Sequence, residues 1–518
     1  MDIHDLLAEV PHRWVRGRES FGVDDVTHDS RESGPRVVFV AIRGAQADGV
    51  DFAAQAWRRG VPLVVVGSGR SGAPQLAAVE RIVEVDQERS ALAMMARALH
   101  GRSDQALRVV GVTGTKGKTT TCRIAADLLE AGGIRSGLLG TVGYWVGDTR
   151  LPAARTTPEA PVLHRHLERM REAGCRACVM EVSSHAIELQ RVHSMEFSAA
   201  VFTNLTRDHL DFHKDMDSYF DVKARLFDAL APVAGGAPAA IINVDDPWGR
   251  KLAARLASRP SLRLITFGES QDATLRLLEA AASANGGSLR LATPEGEQVE
   301  LTTPLLGRHN IWNVMAAACI GRSFGISWER IAARVARSGQ VEGRLERVVV
   351  PGQDFTVLVD FAHTDEALRT VLEAVRPLTP GRVLVVFGCG GDRDRGKRPL
   401  MGAQAATLSD EVWITSDNPR SEDPLAIIRQ IEQGARAAAD RAGPRKAASI
   451  HIEPDRAGAI EAALHSARAG DTVVIAGKGH ETEQILGDRR VPFDDRVVAR
   501  TILARIVAGE GGGGAAHA

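Results

Sequence analysis

At 518 residues the chain is too long for one ordinary hydrophobic core, and roughly two to four domains are expected. Hydrophobic residues make up 44% and charged residues 25%, the balance of a globular protein. The formal net charge of −1 excludes a global basic field for nucleic acid or an anionic membrane, so an anionic substrate must meet arginines and lysines gathered locally.

The opening MDIHDLLAEVPHRW has no apolar signal core, and no apolar run approaches membrane-spanning length. Neither secretion nor membrane insertion is expected. The five cysteines, Cys122, Cys175, Cys178, Cys319 and Cys389, suit a reducing cytoplasm. Cys175-Arg-Ala-Cys178 has metal-like spacing but no second Cys or His pair. It spans the entry into an apolar strand, and small buried thiols are the expected reading.

Residues 1 to about 106 form a first block. Within it 37–41 reads as a strand, 52–59 as a helix and 62–66 as a strand. Ahead of them Asp29-Ser30-Arg31 could hold a nucleotide base or diphosphate, or simply form a turn or helix cap.

The second block runs from about 107 to 340. It opens on a buried strand, 108–110, then Gly111-Val112-Thr113-Gly114-Thr115-Lys116-Gly117-Lys118-Thr119-Thr120, then an amphipathic helix over 121–129. A glycine-rich turn between strand and helix aims backbone N–H groups and the helix dipole at one spot, which suits a phosphate. Lys118 would reach the outer phosphates and the Thr119 hydroxyl would ligate magnesium. Val112 stands where the general pattern has glycine, leaving the tighter form Gly-Thr-x-Gly-Lys-Thr. Further strands are expected at 137–140, 177–182, 199–203, 240–244 and 262–267, and their alternation with helices argues for a mostly parallel, doubly wound sheet. Ligands of such sheets sit beyond the strands' carboxyl ends. There the chain carries Glu181-Val182-Ser183-Ser184-His185, Asn204-Leu205-Thr206-Arg207-Asp208-His209 and Asn243-Val244-Asp245-Asp246.

Glu181 and His209 could complete a magnesium site with Thr119; histidine is a less usual ligand, and a satisfied loop histidine is the competing account. Helical spacing sets Tyr219, Phe220, Leu226, Phe227 and Leu230 around Lys223. Shielding would depress its pKa and open it to modification, unless the chain snorkels to solvent. A polar stretch over 285–302 reads as a hairpin insertion, followed by an alanine-rich helix in which Asn310 and Asn313 read a base edge or cap the helix.

The third block, about 341 to 505, has strands at 356–360, 383–387, 412–415 and 472–476 with helices between, and a tail over 506–518 is expected to be disordered. Its strand ends carry Asp360-Phe361-Ala362-His363, then 388–399 with Arg393, Asp417-Asn418-Pro419-Arg420 and Gly477-Lys478-Gly479-His480-Glu481. Several arginines there are able to grip carboxylates in bidentate fashion.

Together these motifs resemble the Mur ligases, which build the peptide stem of bacterial cell walls, from Asp29-Ser30-Arg31 to Pro492-Phe493-Asp494-Asp495-Arg496. Thr156-Thr157-Pro158, Glu181-Val182-Ser183-Ser184-His185, Lys223-Ala224-Arg225-Leu226-Phe227 and Gly477-Lys478-Gly479-His480-Glu481 look like the branch that adds the third stem residue. The resemblance implies three α/β domains: a smaller N-terminal one for the UDP end of the substrate, a central P-loop sheet for ATP, and a Rossmann-like C-terminal one for the amino acid. It implies an ATP- and magnesium-dependent acid–amine ligase, acting as a cytoplasmic monomer on UDP-N-acetylmuramoyl-L-alanyl-D-glutamate and meso-2,6-diaminopimelate. By the same resemblance Ser30 contacts the uridine end of the substrate, and Thr156, Thr157, Ser183 and Arg191 contact its muramoyl-peptide. Gly114, Thr115, Lys116, Gly117, Lys118, Thr119 and Thr120 hold the phosphates, with Asn313, Arg344 and Asp360 as further ATP contacts. Thr119, Glu181 and His209 serve the metal, Lys118, Lys223, His209 and Glu181 carry catalysis, and Lys223 is carbamylated. Arg393, Asp417, Asn418, Pro419, Arg420, Gly477 and Glu481 hold diaminopimelate. Lys116, Phe361, Asp365 and Glu483 depart from the usual residues, asparagine, tyrosine, proline and an aromatic. Rival readings are the same ligase using L-lysine, another acid–amine ligase, and a nucleotide-binding regulatory module without catalysis.

Overall fold

The computed structural model describes residues 1–44, 47–208, 212–232, 236–283, 285–442 and 448–509. They fall into two compact units, the first made of 1–278, 290–299 and 312–335, the second of the remaining stretches.

The first unit begins with a five-stranded sheet ordered His12–Arg16, Ile82–Val85, Val64–Gly67, Val37–Val40, Asp25–Thr27. All neighbours are parallel except the first pair. Strands rich in valine and isoleucine, buried on both faces, are what a helix-covered parallel sheet requires. Val38 and Val40 pack with Leu92, Met95 and Ala96 of the helix Glu88–Leu99. Phe39 and Val64 point the other way, onto Val50, Ala53 and Ala56.

The same unit holds a parallel run ordered Arg263–Gly268, Ala239–Asn243, Ala199–Phe202, Arg108–Thr113, Ala177–Glu181, Ser136–Gly140. These are the six expected strands; five lie within one residue of their predicted ends, and the first in the chain runs three residues further than expected, to Thr113. Gly143–Val146 and Thr149–Leu151 extend the edge as an antiparallel meander that the alternation did not announce. On the other side Leu275 and Arg276 pair with Phe267 and Gly268, at the start of the strand Leu275–Ser283, also unforeseen. The expected hairpin strands form as Gly286–Ala292 and Gln298–Thr303. In the parallel run Val112 pairs with Glu181 and with Val201, so the chain leaves these three strands side by side. The Arg97 guanidinium ties the N-terminal block to this sheet, meeting Asp104 at 2.9 Å and Glu196 at 2.9 Å.

The second unit is built on a six-stranded sheet ordered Glu346–Arg347, Thr356–Asp360, Thr472–Ala476, Val383–Phe387, Glu411–Ile414, Ser449–Ile452, parallel but for the first pair. Leu368, Leu372, Met401, Ala405 and Ile431 cover one face. Ala459, Ile460, Ala499, Ile502 and Leu503 cover the other. A two-stranded hairpin, Glu483–Leu486 with Arg489–Pro492, follows. The last helix runs Asp495–Val507, so the break expected at 505/506 falls inside a helix; the helix continues because Ile502, Leu503 and Ile506 keep packing at helical spacing. Residues 510–518 lie outside the described ones.

Among the described residues no helix is long and apolar enough to cross a membrane. All five cysteines are free and buried, Cys175 and Cys178 included, as expected of packed thiols.

Candidate active site

The Arg108–Thr113 strand ends in the loop 114–117, and the helix Lys118–Ala131 starts directly after it. Gly114 sits at φ +143° and Gly117 at φ +86°, conformations in which a side chain would be strained. A Cβ on Gly114 would also collide with the Thr203 hydroxyl, and one on Gly117 with the Asn313 carboxamide oxygen. The loop is pinned from the neighbouring strand end. Asn204 Oδ1 accepts from Lys116 N at 2.9 Å, Asn204 O accepts from Thr115 N at 2.9 Å, and Thr203 Oγ1 donates to Lys116 O at 2.7 Å. Lys118 Nζ lies back over the loop, donating to Gly114 O and Thr115 O at 2.8 Å each.

Lys223 is buried, not snorkelled. It lies on the helix Met216–Ala224 with Tyr219, Phe220, Leu226, Phe227 and Leu230 all buried around it. Its Nζ donates to Gly114 O at 2.9 Å and lies 4.6 Å from the centre of the Tyr219 ring. Burial holds its pKa well below the ordinary lysine value, and the nearby Lys118 charge lowers it further.

Glu181, at the end of the adjacent strand, is 1% exposed. Its carboxylate accepts from Thr119 Oγ1 at 3.1 Å, Thr141 N at 2.7 Å and Thr141 Oγ1 at 3.2 Å. Thr141 Oγ1 also meets Thr156 Oγ1 at 3.1 Å. Thr157 Oγ1 donates to Glu181 O at 2.8 Å and accepts from Ser183 N at 3.1 Å. Arg191 donates to Thr157 O at 3.2 Å and pairs with Glu159 at 2.9 Å. Thus Thr119, Thr156, Thr157, Glu181, Ser183 and Arg191 form one connected cluster beside the loop that carries Lys118. His209 lies outside the described residues. Ser30 lies in a short turn capped by Asp29, with its hydroxyl on Gln55 Oε1 at 3.3 Å, which is the turn reading of that segment.

In the second unit the ends of Glu411–Ile414 and Thr472–Ala476 come together. Asp417 and Asn418 are buried, and a Cβ on Gly477 would lie 2.8 Å from Asp417 Oδ2. Asn418 Nδ2 donates to Glu481 Oε2 at 2.9 Å. Lys478, fully buried, donates to Asn418 Oδ1 at 3.2 Å, Glu481 Oε2 at 3.1 Å and Glu483 O at 2.6 Å. After Pro419, Arg420 sits at φ +52° and donates from Nη1 to Gly391 O at 2.8 Å. Arg393 is exposed on the facing loop, with Nη1 on Asp392 O at 3.2 Å. Fully buried Arg398 organises that loop by gripping Glu422, whose carboxyl it holds down at about 2, and by donating to Gly390 O at 3.3 Å.

Asp360, one strand away, accepts from Leu345 N and Ala362 N at 2.8 Å each. Arg344 lies over the Phe361 ring at 5.0 Å. Asn313, in the first unit, approaches Thr121 Oγ1 at 3.5 Å beside Gly117, while Asn310 Nδ2 donates to Leu306 O at 2.6 Å.

Three family models match the chain: "Mur ligase family, catalytic domain" over 23–100, "Mur ligase middle domain" over 112–321 and "Mur ligase, glutamate ligase domain" over 343–479. The chain belongs to the Mur ligase family. Two relatives named UDP-N-acetylmuramoyl-L-alanyl-D-glutamate–2,6-diaminopimelate ligase fix its place further. That of Solibacter usitatus is 45% identical over 97% of this chain and 98% of its own. That of Gloeobacter violaceus is 42% identical over 98% of each. A solved structure bearing the same name matches at 31% identity with a TM-score of 0.65, covering 93% of this chain and 95% of that one.

For this Mur ligase the sequence left several groups of the cluster without an assigned role. Thr141 carries no motif, and Asn204 was named at its strand end without a role; each stands where polar residues were already suspect. Lys478 was quoted within its motif without a role. Arg398 stands in the 388–399 stretch without a role of its own, and Arg456 falls in a helix, where arginine reads as a solvated face.

Proposed function

We propose that this Mur ligase joins meso-2,6-diaminopimelate to UDP-N-acetylmuramoyl-L-alanyl-D-glutamate, driven by ATP. The observation that carries this reading is the 45% identity, over nearly all of both chains, to a relative named for that reaction. The clustering of Lys118, Lys223, Glu181, Thr156 and Thr157 at parallel strand ends supports it. The proposed division of labour gives the UDP end to residues 1–106, ATP to 107–340 and the amino acid to 341–505.

A carboxylate is a poor electrophile, so the D-glutamyl γ-carboxylate must first be activated. Its oxygen attacks the γ-phosphorus of ATP, ADP leaves, and an acyl phosphate forms. The amine of diaminopimelate then attacks the acyl carbon; inorganic phosphate departs and the nitrogen loses a proton. In this reading the N–H groups of 114–120 and the Lys118 ammonium meet the phosphate oxygens, where fixed charge lowers the barrier without reorganisation. Thr156, Thr157, Ser183 and Arg191 orient the acid, Ser30 meets the UDP end, and Asn313, Arg344 and Asp360 complete the nucleotide contacts. His363 is a candidate for taking the amine proton; its Nδ1 is 2.9 Å from Phe361 O.

The residues present fit magnesium. The Thr119 hydroxyl and Glu181 carboxylate are hard oxygen donors 3.1 Å apart, and among the described residues no group of three or more His, Cys, Asp or Glu could enclose a metal unaided. Magnesium keeps waters and phosphate oxygens and takes one or two protein ligands, so this sparse set suits it. When bound there it would neutralise charge on the ATP phosphates.

Lys223 is proposed to act as its carbamate. Only a neutral amine attacks carbon dioxide, and burial favours the neutral form. The N–C bond forms, one proton leaves, and the neutral amine becomes a carbamate anion beside Lys118.

At the amino-acid end Arg420 and Arg393 would take carboxylates, Glu481 and the Gly477 backbone would meet the distal ammonium, and Asp417, Asn418 and Pro419 would complete the site. L-lysine lacks the second carboxylate and would leave a cation unpaired, at a cost of about 1–3 kcal/mol. The test is ADP release with the UDP-muramoyl-dipeptide and each amino acid in turn. Release with diaminopimelate supports the reading, and release with neither amino acid overturns it.

A further inference from the structure

Arg456 and Asp495 form an ion pair with no exposed side-chain surface and no part in the steps above. Each is the first residue of a helix, Arg456–Ser466 and Asp495–Val507. Arg456 Nε donates to Asp495 Oδ1 at 2.8 Å and Nη2 to Oδ2 at 2.7 Å. The fork has further partners: Nη1 donates to Ser416 O at 3.3 Å and Nη2 to Ala476 O at 3.0 Å.

Those two carbonyls are not arbitrary. Ser416 immediately precedes Asp417, and Ala476 immediately precedes Gly477. Their strands are not neighbours, because Val383–Phe387 lies between them. The middle strand ends at Phe387, and at the next residue, Gly388, a Cβ would collide with Thr415 O and lie 2.9 Å from Asp417 N. Asp417 therefore passes over the end of the middle strand to reach Gly477, with the Arg456 guanidinium holding the backbone on both sides.

Stability alone does not account for the pair. A buried ion pair is often no more stable than apolar residues of the same volume. An apolar pair, however, could not hold two carbonyls at a fixed separation, whereas a planar guanidinium can. Burial opposes the charge on Arg456; Asp495, and then Asp417 and Glu481, sustain it.

We propose that Arg456, oriented by Asp495, is a positioning residue for the incoming amino acid, setting the separation between segments 417–420 and 477–481. This rests on the assignment of those two segments to the amino acid. In that arrangement one segment meets the distal carboxylate and the other the distal ammonium of the same ligand, so a change in their separation weakens both contacts at once.

The test uses the full-length enzyme with Asp495→Asn, Arg456→Lys and, leaving the pair intact, Gly388→Ala. In each, KM for diaminopimelate is expected to rise about tenfold or more, with KM for ATP and for the UDP-muramoyl-dipeptide within about twofold and kcat at saturating amino acid within about threefold. Arg456→Lys keeps the charge but loses the fork, so it should not rescue. A lower melting temperature with every KM unchanged would show a merely structural pair and overturn the proposal, as would a uniform rise in all three KM values. If Asp495→Asn or Arg456→Lys fails to fold, Gly388→Ala decides by the same KM criterion. Arg420→Ala serves as the reference. If it raises KM for diaminopimelate while the other variants do not, the positioning role fails alone; if it too has no effect, the assignment of the amino-acid site fails.

Discussion

Lys118 and Lys223 share one acceptor: both side-chain nitrogens donate to the Gly114 carbonyl, at 2.8 and 2.9 Å. Two cations on one oxygen repel, and Lys223, the fully buried one, yields its proton more readily for it. If Lys223 becomes a carbamate the repulsion turns into attraction, since Lys118 then faces an anion. Lys118→Met removes both effects, leaving the Lys223 amine more basic and its carbamate without a partner. Carbamate occupancy, read by carbon-13 NMR after labelling with bicarbonate at neutral pH, should fall in Lys118→Met. Unchanged or higher occupancy would contradict the coupling.

The same burial has a consequence for stability. The unfolded lysine holds its proton up to the ordinary lysine range, and the folded amine loses it at lower pH. Between those values the unfolded chain binds more protons, so stability rises with pH and the penalty vanishes only above the ordinary range. In carbon-dioxide-free buffer Lys223→Met should melt higher than the native chain near neutrality and show a flatter pH dependence above it. Turnover should drop by about a hundredfold or more. A lower melting temperature with an unchanged slope would argue that the amine is accommodated without strain.

Arg420 stands at φ +52°, a conformation uncommon for a non-glycine residue. The strain is sustained by hydrogen bonds from Arg420 N to Ile485 O at 3.1 Å and from Nη1 to Gly391 O. Arg420→Ala should raise KM for diaminopimelate by about tenfold or more while ATP binding, measured by calorimetry, stays nearly intact. Arg420→Lys should rescue little, because an ammonium cannot grip a carboxylate with two parallel bonds. Unchanged kinetics in Arg420→Ala would remove this residue from the amino-acid site.

His164 should govern the acid limb of stability. It is fully buried on the helix Ala160–Glu172, and burial, with His100 and Arg97 nearby, pushes its pKa down to about 3. The depressed folded value means that its contribution is complete above the unfolded pKa of 6.5 and is lost as pH falls from there toward 3. Each pH unit in that window costs up to about 1.4 kcal/mol. His164→Phe should flatten denaturant-derived stability between pH 6.5 and 4; an identical slope would assign the acid sensitivity elsewhere.

The parallel sheets were legible because their strands are short, apolar and rich in β-branched residues, and because polar residues begin where each stops. The phosphate loop and the shielded Lys223 were legible for related reasons, since strand, glycine turn, Lys-Thr and helical apolar spacing coincide in sequence. Leu275–Ser283 was not: LRLLEAAAS is composed of good helix formers, and its strand state comes from pairing with Arg263–Gly268. Neither were the buried cations Arg398, Arg456 and Lys478, because nothing local distinguishes a helix or loop cation that finds distant carbonyls from one that meets water. The connection of Glu181 to Thr141, and through it to Thr156, depends on parallel register, which sets strand ends side by side but leaves no trace in spacing.

The decisive measurement is steady-state ADP release by the purified chain with ATP, magnesium and the UDP-muramoyl-dipeptide, with meso-diaminopimelate, L-lysine or no amino acid. ADP should form at a substantial rate only with diaminopimelate, with kcat/KM exceeding that for L-lysine by about tenfold to a hundredfold, as a loss of about 1–3 kcal/mol implies. A preference for L-lysine, or no ADP with either amino acid, would contradict the proposed reaction.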